Sequence, residues 1–221
     1  MTYFTSEYLQ FFKDLAPNND KEWFDANRKR YEEVVREPFK VFVTGLIEEV
    51  AKKDPEIQIT QKEAIFRINR DIRFSKDKTP YKTNNSALIS KNGRKDKTYP
   101  GIYVELGPEK LGIYGGVFML NSNQVARVRD YIADNLEAFE KAINEKSFKS
   151  FYGEIKGEQA KRIPKELKDA AAVQPLLFNK QWYYFAHLDP KTIESSGLMN
   201  TILKHYEVAA PIRTLLTKAL Y

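Results

Sequence analysis

The spacing of the apolar residues changes twice along the chain, and this change limits the folds that the sequence can adopt. Near the N-terminus apolar side chains recur every three or four residues, the middle of the chain alternates apolar with polar residues, and the last part returns to the helical spacing. Helices that precede and follow a group of strands predict an α+β fold, with a largely antiparallel sheet flanked by N- and C-terminal helices. No repeat, low-complexity segment or linker interrupts the sequence, so we expect a single compact domain over residues 1–221.

The N-terminal helices are predicted from their apolar stripes. Tyr8, Phe11, Phe12 and Leu15 fall on one helical face, and Asp20 is a suitable N-cap for a second helix. After Pro38, which restarts or kinks the helix, a third stripe is expected to pack in the core. Its members are Phe39, Phe42, Val43, Leu46, Ile47 and Val50.

The middle and C-terminal parts predict strands and further helices. The segment "YPGIYVELGPEKLGIYGGVFML" indicates two strands joined by "GPEK", and "FNKQWYYFAHL" indicates another. A long helix with Ser122 or Asn123 as its cap follows the paired strands, and residues 198–220 are predicted to be helical with a kink at Pro211. The buried face of the long helix is marked by Val125, Val128, Ile132, Leu136, Phe139 and Ile143.

Composition excludes several classes of site. The chain has no cysteine, which excludes a disulfide scaffold, a zinc–thiolate site and a cysteine nucleophile. The N-terminal sequence lacks the pattern of a signal peptide and no apolar run is long enough to cross a bilayer, so we expect a cytoplasmic protein without a membrane partner. A net charge of +6 favours anionic partners. We expect no metal and no cofactor.

One segment concentrates this positive charge. "RINRDIRFSKDKTPYKT" contains six Lys or Arg residues and two Asp among its seventeen residues, from Arg67 to Thr83. Alternating Ile and Phe favour a strand over its first part, which would place Arg67, Asn69, Asp71 and Arg73 on one face. Phe74 and the other apolar residues would then lie on the opposite face.

The remainder of this segment predicts a loop with functional side chains. Pro80 disfavours helix at the preceding residue and indicates a turn, and the strand reading leaves Arg70 pointing towards the apolar side. Guanidinium groups suit carboxylates and phosphates because they offer two parallel donors. The candidate ligand-binding residues are Arg67, Arg70, Arg73, Lys76, Lys78 and Lys82. Asp71 and Asp77 are candidates for an acid or base, and Tyr81 for a proton donor or stacking group.

A purely structural explanation of the same residues stays open. Asp71 can pair with Arg67 or Arg73, and Asp77 can cap the turn or pair with Lys76 or Lys78. Exposed ion pairs contribute only about 0–1 kcal/mol each. Even a large number of them in one short segment would therefore add little stability.

Other features carry weaker signals. Gly115 and Gly116 precede a helix, where they either help to bind an anion or simply provide room at a strand crossing. Arg127 and Arg129 lie in that helix, where a ligand or a nearby carboxylate would be expected to balance them. His187 is a possible acid or base if it reaches the site, and otherwise a packed residue.

Three functions remain open at this stage. The first is binding of a small phosphorylated or carboxylated molecule at the basic segment, with or without a reaction there. The second is a nucleic-acid-binding module that uses the same basic face, since lysines and tyrosines continue through residues 81–106. The third is a structural charge network without a ligand. The sequence sets neither an enzymatic activity nor an oligomeric state.

Several segments together resemble a known family. "NNDKEWFDANRKRYEEVVREP", "FRINRDIRFSKDKTPYKT", "YPGIYVEL" and "GIYGGVFML" are similar to the uncharacterised family called domain of unknown function 2461, as are the later "PLLFNKQWYYFAHLDP" and "AAPIRTLLTKAL". The resemblance covers nearly the whole chain and implies one compact domain, without an established activity, cofactor or catalytic residue. The family signature falls on Trp23, Phe24 and Asn27 and on the run from Arg67 to Lys82.

Overall fold

The computed structural model describes residues 2–221 and has helices, then strands, then helices along the chain. Short 3₁₀ turns connect many of these elements. The strands are β1 (Asn85–Ile89), β2 (Ile102–Leu106), β3 (Leu111–Val117) and β4 (Trp182–Leu188). The helices are α1 (Ser6–Leu15), α2 (Lys21–Ala26), α3 (Arg28–Arg30), α4 (Glu37–Ala51), α5 (Gln61–Ala64), α6 (Ser122–Asp134), α7 (Leu136–Asn144), α8 (Lys146–Tyr152), α9 (Lys168–Val173), α10 (Leu198–Val208) and α11 (Ala210–Leu220).

The N-terminal helices follow their apolar stripes. The four predicted residues of α1 are buried, and the Asp20 carboxylate accepts a hydrogen bond from the Trp23 amide at 2.8 Å, which confirms it as the cap of α2. All six predicted residues of the α4 stripe are also buried. The chain enters α4 through a π-helical segment, Tyr31–Arg36. This wider turn ends two residues before Pro38, which has no N–H to donate to a regular helical hydrogen bond.

The strands form an antiparallel sheet in the order β1-β2-β3-β4 over the described residues, so the fold is α+β as expected. The predicted pair of strands and the strand in "FNKQWYYFAHL" are confirmed as β2, β3 and β4. Alternate residues of β2 are fully buried, while Tyr103 and Glu105 between them are half-buried on the opposite face of the sheet.

The helix after β3 differs from its prediction in two ways. Its cap is Asn121 and not Ser122 or Asn123: the Asn121 side chain accepts from the Gln124 amide at 2.9 Å, while the Gln124 side chain accepts from the Asn121 amide at 3.0 Å. These reciprocal bonds satisfy two amides that a helix start would otherwise leave unpaired. The helix also breaks at Asn135, so that α6 and α7 replace one long helix.

Contacts within the chain divide it into two compact units. The first contains residues up to Arg94, Tyr103–Ile113 and His187–Leu203, and the second contains Lys95–Ile102, Tyr114–Ala186 and Lys204–Tyr221. The apolar core of the second unit includes Trp182, Tyr184 and Phe148. A single domain over the whole chain therefore stays a prediction. No helix in residues 2–221 is long and apolar enough to cross a membrane.

The two glycines of β3 are explained by packing in the second unit. A Cβ atom on Gly115 would lie 2.5 Å from the ring of Tyr184, and one on Gly116 would lie 2.2 Å from the carbonyl oxygen of Trp182. Gly116 also has a φ of +102°, which side-chain-bearing residues rarely adopt. The need for small residues at this crossing, one of the two sequence interpretations, accounts for both positions.

Candidate functional site

The basic segment lies in the first unit and forms two extended arms joined by a loop. The amide of Lys82 donates to the Ile68 carbonyl at 2.9 Å, and the amide of Arg70 donates to the Pro80 carbonyl at 2.8 Å. Asn69 and Tyr81 form an isolated antiparallel bridge. These bonds hold the arms side by side and leave residues 71–79 as the connecting loop.

The predicted strand therefore ends earlier than its sequence pattern indicates. Ile68 is buried and Arg67 exposed, as strand alternation requires, but pairing stops at Arg70. Phe74 is 95% exposed and does not lie on a buried apolar face. The prediction is wrong beyond Arg70 because the loop has no partner strand to maintain the alternation.

Arg70 turns back into the loop and does not enter the apolar core. Its Nη1 donates to the Asp77 carboxylate, to the Thr79 carbonyl at 3.0 Å and to the Thr79 hydroxyl. The partners of Arg70 thus lie within the segment, and the guanidinium joins the two ends of the loop.

Asp77 is the acceptor at the centre of this loop. It accepts hydrogen bonds from the Thr79 amide and the Thr79 hydroxyl, both at 2.9 Å. These two bonds, and then the Arg70 guanidinium, lower the pKa of Asp77 to about 2. The carboxylate is therefore ionised at neutral pH, and its partner is Arg70 instead of the Lys76 or Lys78 suggested by the sequence.

Asp71 and Arg73 form a second internal pair. The Nε and Nη2 atoms of Arg73 donate to the two carboxylate oxygens of Asp71, at 3.0 and 2.8 Å. Arg73 lowers the pKa of Asp71 through these side-chain bonds first and through its backbone amide second. Both side chains are exposed, as expected for a pair that shapes a surface loop.

Tyr81 and Lys78 also have partners within the first unit. The ring of Tyr81 is buried and stacks on Phe24, with centroids 4.0 Å apart and an angle of 16° between the planes. Burial raises the pKa of the Tyr81 hydroxyl. The ammonium of Lys78 donates to the Ile72 carbonyl at 3.0 Å, across the loop. Tyr81 thus packs beside a residue of the N-terminal family signature.

Arg67 and Lys82 are a different case. In the described part of the chain neither forms an ion pair, although Arg67 lies near enough to repel the Lys82 ammonium. Burial, followed by the charge of Arg67, lowers the pKa of Lys82, and the charge of Glu105 opposes this effect. Lys76 is exposed and, among residues 2–221, makes no ion pair either.

Aromatic and ionisable residues of the sheet lie next to these two cations. The Lys82 ammonium is 5.4 Å from the centre of the Phe66 ring, which meets the Tyr103 ring edge-on at 5.8 Å. Glu105 lies 3.8 Å from the ammonium of Lys110. Sequence reasoning missed this neighbourhood, although the alternation of β2 already places Tyr103 and Glu105 on one face.

The two histidines occupy contrasting environments. His187 is exposed, with its Nε2 atom 3.4 Å from the Lys110 ammonium, and burial followed by the Lys110 charge lowers its pKa. His205 belongs to the second unit, where its ring packs 4.6 Å from that of Phe151 and burial lowers its pKa to about 4. The packed histidine is therefore His205, whereas His187, for which a packed position was one of two interpretations, is exposed.

Within residues 2–221 no group of three His, Asp or Glu side chains is arranged to hold a metal ion. The site is thus defined by cations, aromatic rings and one nearby carboxylate. Its chemistry suits recognition of negative charge.

The chain matches one family of known proteins. No curated protein and no solved structure matches the chain. A family profile described as "Conserved hypothetical protein (DUF2461)" matches residues 7–214, which include the basic segment and all of the sheet. The match covers most of the chain and agrees with the resemblance carried by the basic segment. The protein therefore belongs to the family of domain of unknown function 2461.

Proposed function

We propose that the protein binds a small anionic ligand, phosphorylated or carboxylated, at the surface formed by Arg67 and Lys82. The observation that carries this proposal is that two cations lie close enough to repel each other. In the described residues, neither of them has a carboxylate at ion-pair distance. Such a pair is unfavourable in the free protein, because the charges repel and Lys82 is half-buried. A bound anion relieves the repulsion and gains charge-assisted hydrogen bonds.

The remaining cations of the segment have a supporting role in this proposal. Arg70, Arg73 and Lys78 already donate to groups within the loop, so their main contribution is its shape and its positive potential. Lys76 adds a further exposed charge. Arg67 and Lys82 are then the direct contacts of the ligand, and the other four surround them with positive charge.

The aromatic neighbours favour a ligand that has a flat ring beside its anionic group. Phe66 and Tyr103 are both half-buried and so present part of their surface next to Lys82. Ring stacking contributes about 1–3 kcal/mol per base in nucleic-acid complexes. A nucleotide or another phosphorylated aromatic molecule uses both features, whereas inorganic phosphate uses only the cations.

A thermal-shift series tests the proposal. We expect adenosine monophosphate, glucose phosphate or citrate to raise the melting temperature of the wild type in a saturable manner, because a ligand that binds only the folded state stabilises it. Arg67→Gln and Lys82→Gln each remove a direct contact and should abolish the increase. Lys13→Gln removes the same charge from an exposed position of α1 and should retain it. If none of these ligands raises the melting temperature of the wild type, the proposal is wrong and the charged segment has only a structural role.

Nucleic-acid binding is the second candidate, favoured by the same combination of cations and rings. In that case a long single-stranded oligonucleotide binds much more tightly than a mononucleotide, and its affinity falls steeply with salt concentration. Equal affinity for mono- and oligonucleotides would contradict this alternative and support the small-molecule proposal.

A reaction at the site is a further proposal. Asp71 and Asp77 both have lowered pKa values, so they are ionised at neutral pH and are poor proton donors. The buried Tyr81 ring faces Phe24. Tyr81 remains a proposed proton donor only for a ligand that reaches its hydroxyl. If Asp77→Asn loses catalytic turnover but binds the ligand with wild-type affinity, a catalytic role for that carboxylate is supported.

A further inference from the structure

The second unit contains a buried guanidinium in the middle of α6. Arg129 is 8% exposed, and its Nη2 atom donates to the backbone carbonyls of Phe178 and Asn179 at 3.1 and 3.0 Å. These two bonds anchor one side of the guanidinium to the segment that leads into β4. The side chain is thus held in place by the fold and is not a flexible surface group.

The charge of this guanidinium is not balanced within the described residues. No carboxylate of residues 2–221 forms an ion pair with Arg129, and the carboxylate of the adjacent Asp130 acts only through a longer-range interaction. The Nε atom of Arg129 is buried and, in the part of the chain that the structure describes, has no acceptor. A buried cation normally has an anionic partner, because removing it from water costs several kcal/mol.

A second buried group with unused hydrogen-bonding atoms adjoins it. Asn179 is 1% exposed, and neither its side-chain nitrogen nor its side-chain oxygen has a partner among the described residues. Its backbone carbonyl accepts from Arg129 at 3.0 Å, so the two residues are neighbours. Unsatisfied buried polar atoms are rare in folded proteins, and two of these atoms, the Nε of Arg129 and the Nδ2 of Asn179, are donors on neighbouring residues.

We propose that Arg129 and Asn179 form a binding site for one small oxyanion, the carboxylate or phosphate group of a metabolite. An anionic oxygen accepts from the Nε of Arg129 and from the Nδ2 of Asn179, and its charge balances the guanidinium. Ordered water would satisfy the hydrogen bonds but would leave the charge unbalanced. This site is separate from the Arg67–Lys82 surface, and neither proposal depends on the other.

The charge of Arg129 gives a direct way to test the site in the intact wild-type protein. The Nε–H resonance of a buried arginine is followed by NMR while sodium phosphate or sodium acetate is added, with sodium chloride at equal ionic strength as the reference. We expect the Nε–H resonance of Arg129, and not only that of Arg67, to shift saturably with phosphate, acetate or both, and the more effective anion identifies the preferred group. No shift beyond that given by chloride would overturn the proposal and leave water as the occupant.

Two variants make the assignment specific. Asn179→Asp places a carboxylate beside Arg129, so we expect it to raise the melting temperature without added anion and to weaken the binding of the effective anion at least tenfold. Arg127→Gln removes an exposed charge from the same helix and should leave binding unchanged. Wild-type affinity in Asn179→Asp, or loss of binding in Arg127→Gln, would contradict the proposed site.

Discussion

Arg70 and Asp77 determine how the basic loop is closed. The guanidinium of Arg70 reaches across to Asp77 and Thr79, and the Asp77 carboxylate collects three donors from the same two residues. An arginine that the sequence would place against the core thus becomes the link between the two ends of a loop. Arg70 differs from Arg67 and Lys82 because it donates hydrogen bonds to groups within the loop.

The depressed pKa of Asp77 predicts a specific pH dependence. A carboxyl with a folded pKa of about 2 and an unfolded pKa of about 3.9 stabilises the native state above the unfolded value. That contribution is lost as the pH falls from about 4 to about 2. The melting temperature of Asp77→Asn should therefore fall less over this range than that of the wild type. Thr79→Ala, which removes one donor, should show the same change to a smaller extent. Parallel pH profiles for Asp77→Asn and wild type would show that the carboxylate has no such role.

Gly115 offers a test of packing in the second unit. An alanine Cβ at this position would lie 2.5 Å from the Tyr184 ring, which is fully buried and cannot move towards solvent. We expect Gly115→Ala to lower the free energy of unfolding by about 1–3 kcal/mol, measured by urea denaturation. Gly197→Ala, where the nearest atom is a serine hydroxyl at 3.4 Å, should change it much less. Equal effects would indicate that the strand relaxes without cost.

Elements with a local apolar period were predictable from the sequence, and elements that depend on distant partners were not. The stripe of α4 and the β2–β3 pair follow directly from residue spacing. The arms of the basic segment do not form a continuous β-strand pair, because their hydrogen bonding is interrupted and ends at Arg70. The proximity of Phe66 to Tyr103 likewise depends on sheet order, which spacing within either segment does not reveal.

The start of α6 is an element whose boundary the sequence placed one or two residues late. Asn121 has extended backbone angles and makes reciprocal hydrogen bonds with Gln124, so it carries the cap. We expect Asn121→Ala to lower the free energy of unfolding by about 0.5–2 kcal/mol, while Ser122→Ala and Asn123→Ala have small effects. Chemical denaturation of the three variants checks this. A larger loss for Ser122→Ala would restore the original prediction.

At the scale of the whole molecule, the question is whether the two units unfold together. One of the boundaries between them falls inside β3, between Ile113 and Tyr114. A single strand is not expected to fold as two independent halves, and we therefore propose one cooperative domain. The chain places one tryptophan in each unit, Trp23 in the first and Trp182 in the second.

These tryptophans make the proposal measurable. Trp182→Phe leaves Trp23 as the fluorescent probe of the first unit, and Trp23→Phe leaves Trp182 as the probe of the second. In each variant we expect the fluorescence transition in urea to coincide with the circular-dichroism transition of the whole chain. A fluorescence midpoint clearly separated from the circular-dichroism midpoint in either variant would establish two domains.

If the two neighbouring cations of the first unit bind an anion, the pKa of Lys82 must respond to that anion. NMR of a protein with isotope-labelled lysine gives this pKa in the free state and at increasing concentrations of inorganic phosphate. We predict a value below that of an ordinary lysine in the free protein, since burial and Arg67 both lower it, and a saturable rise when phosphate binds. In Arg67→Gln the starting value should be higher and the response to phosphate absent. An ordinary pKa for Lys82 that phosphate does not change would contradict the proposed anion site.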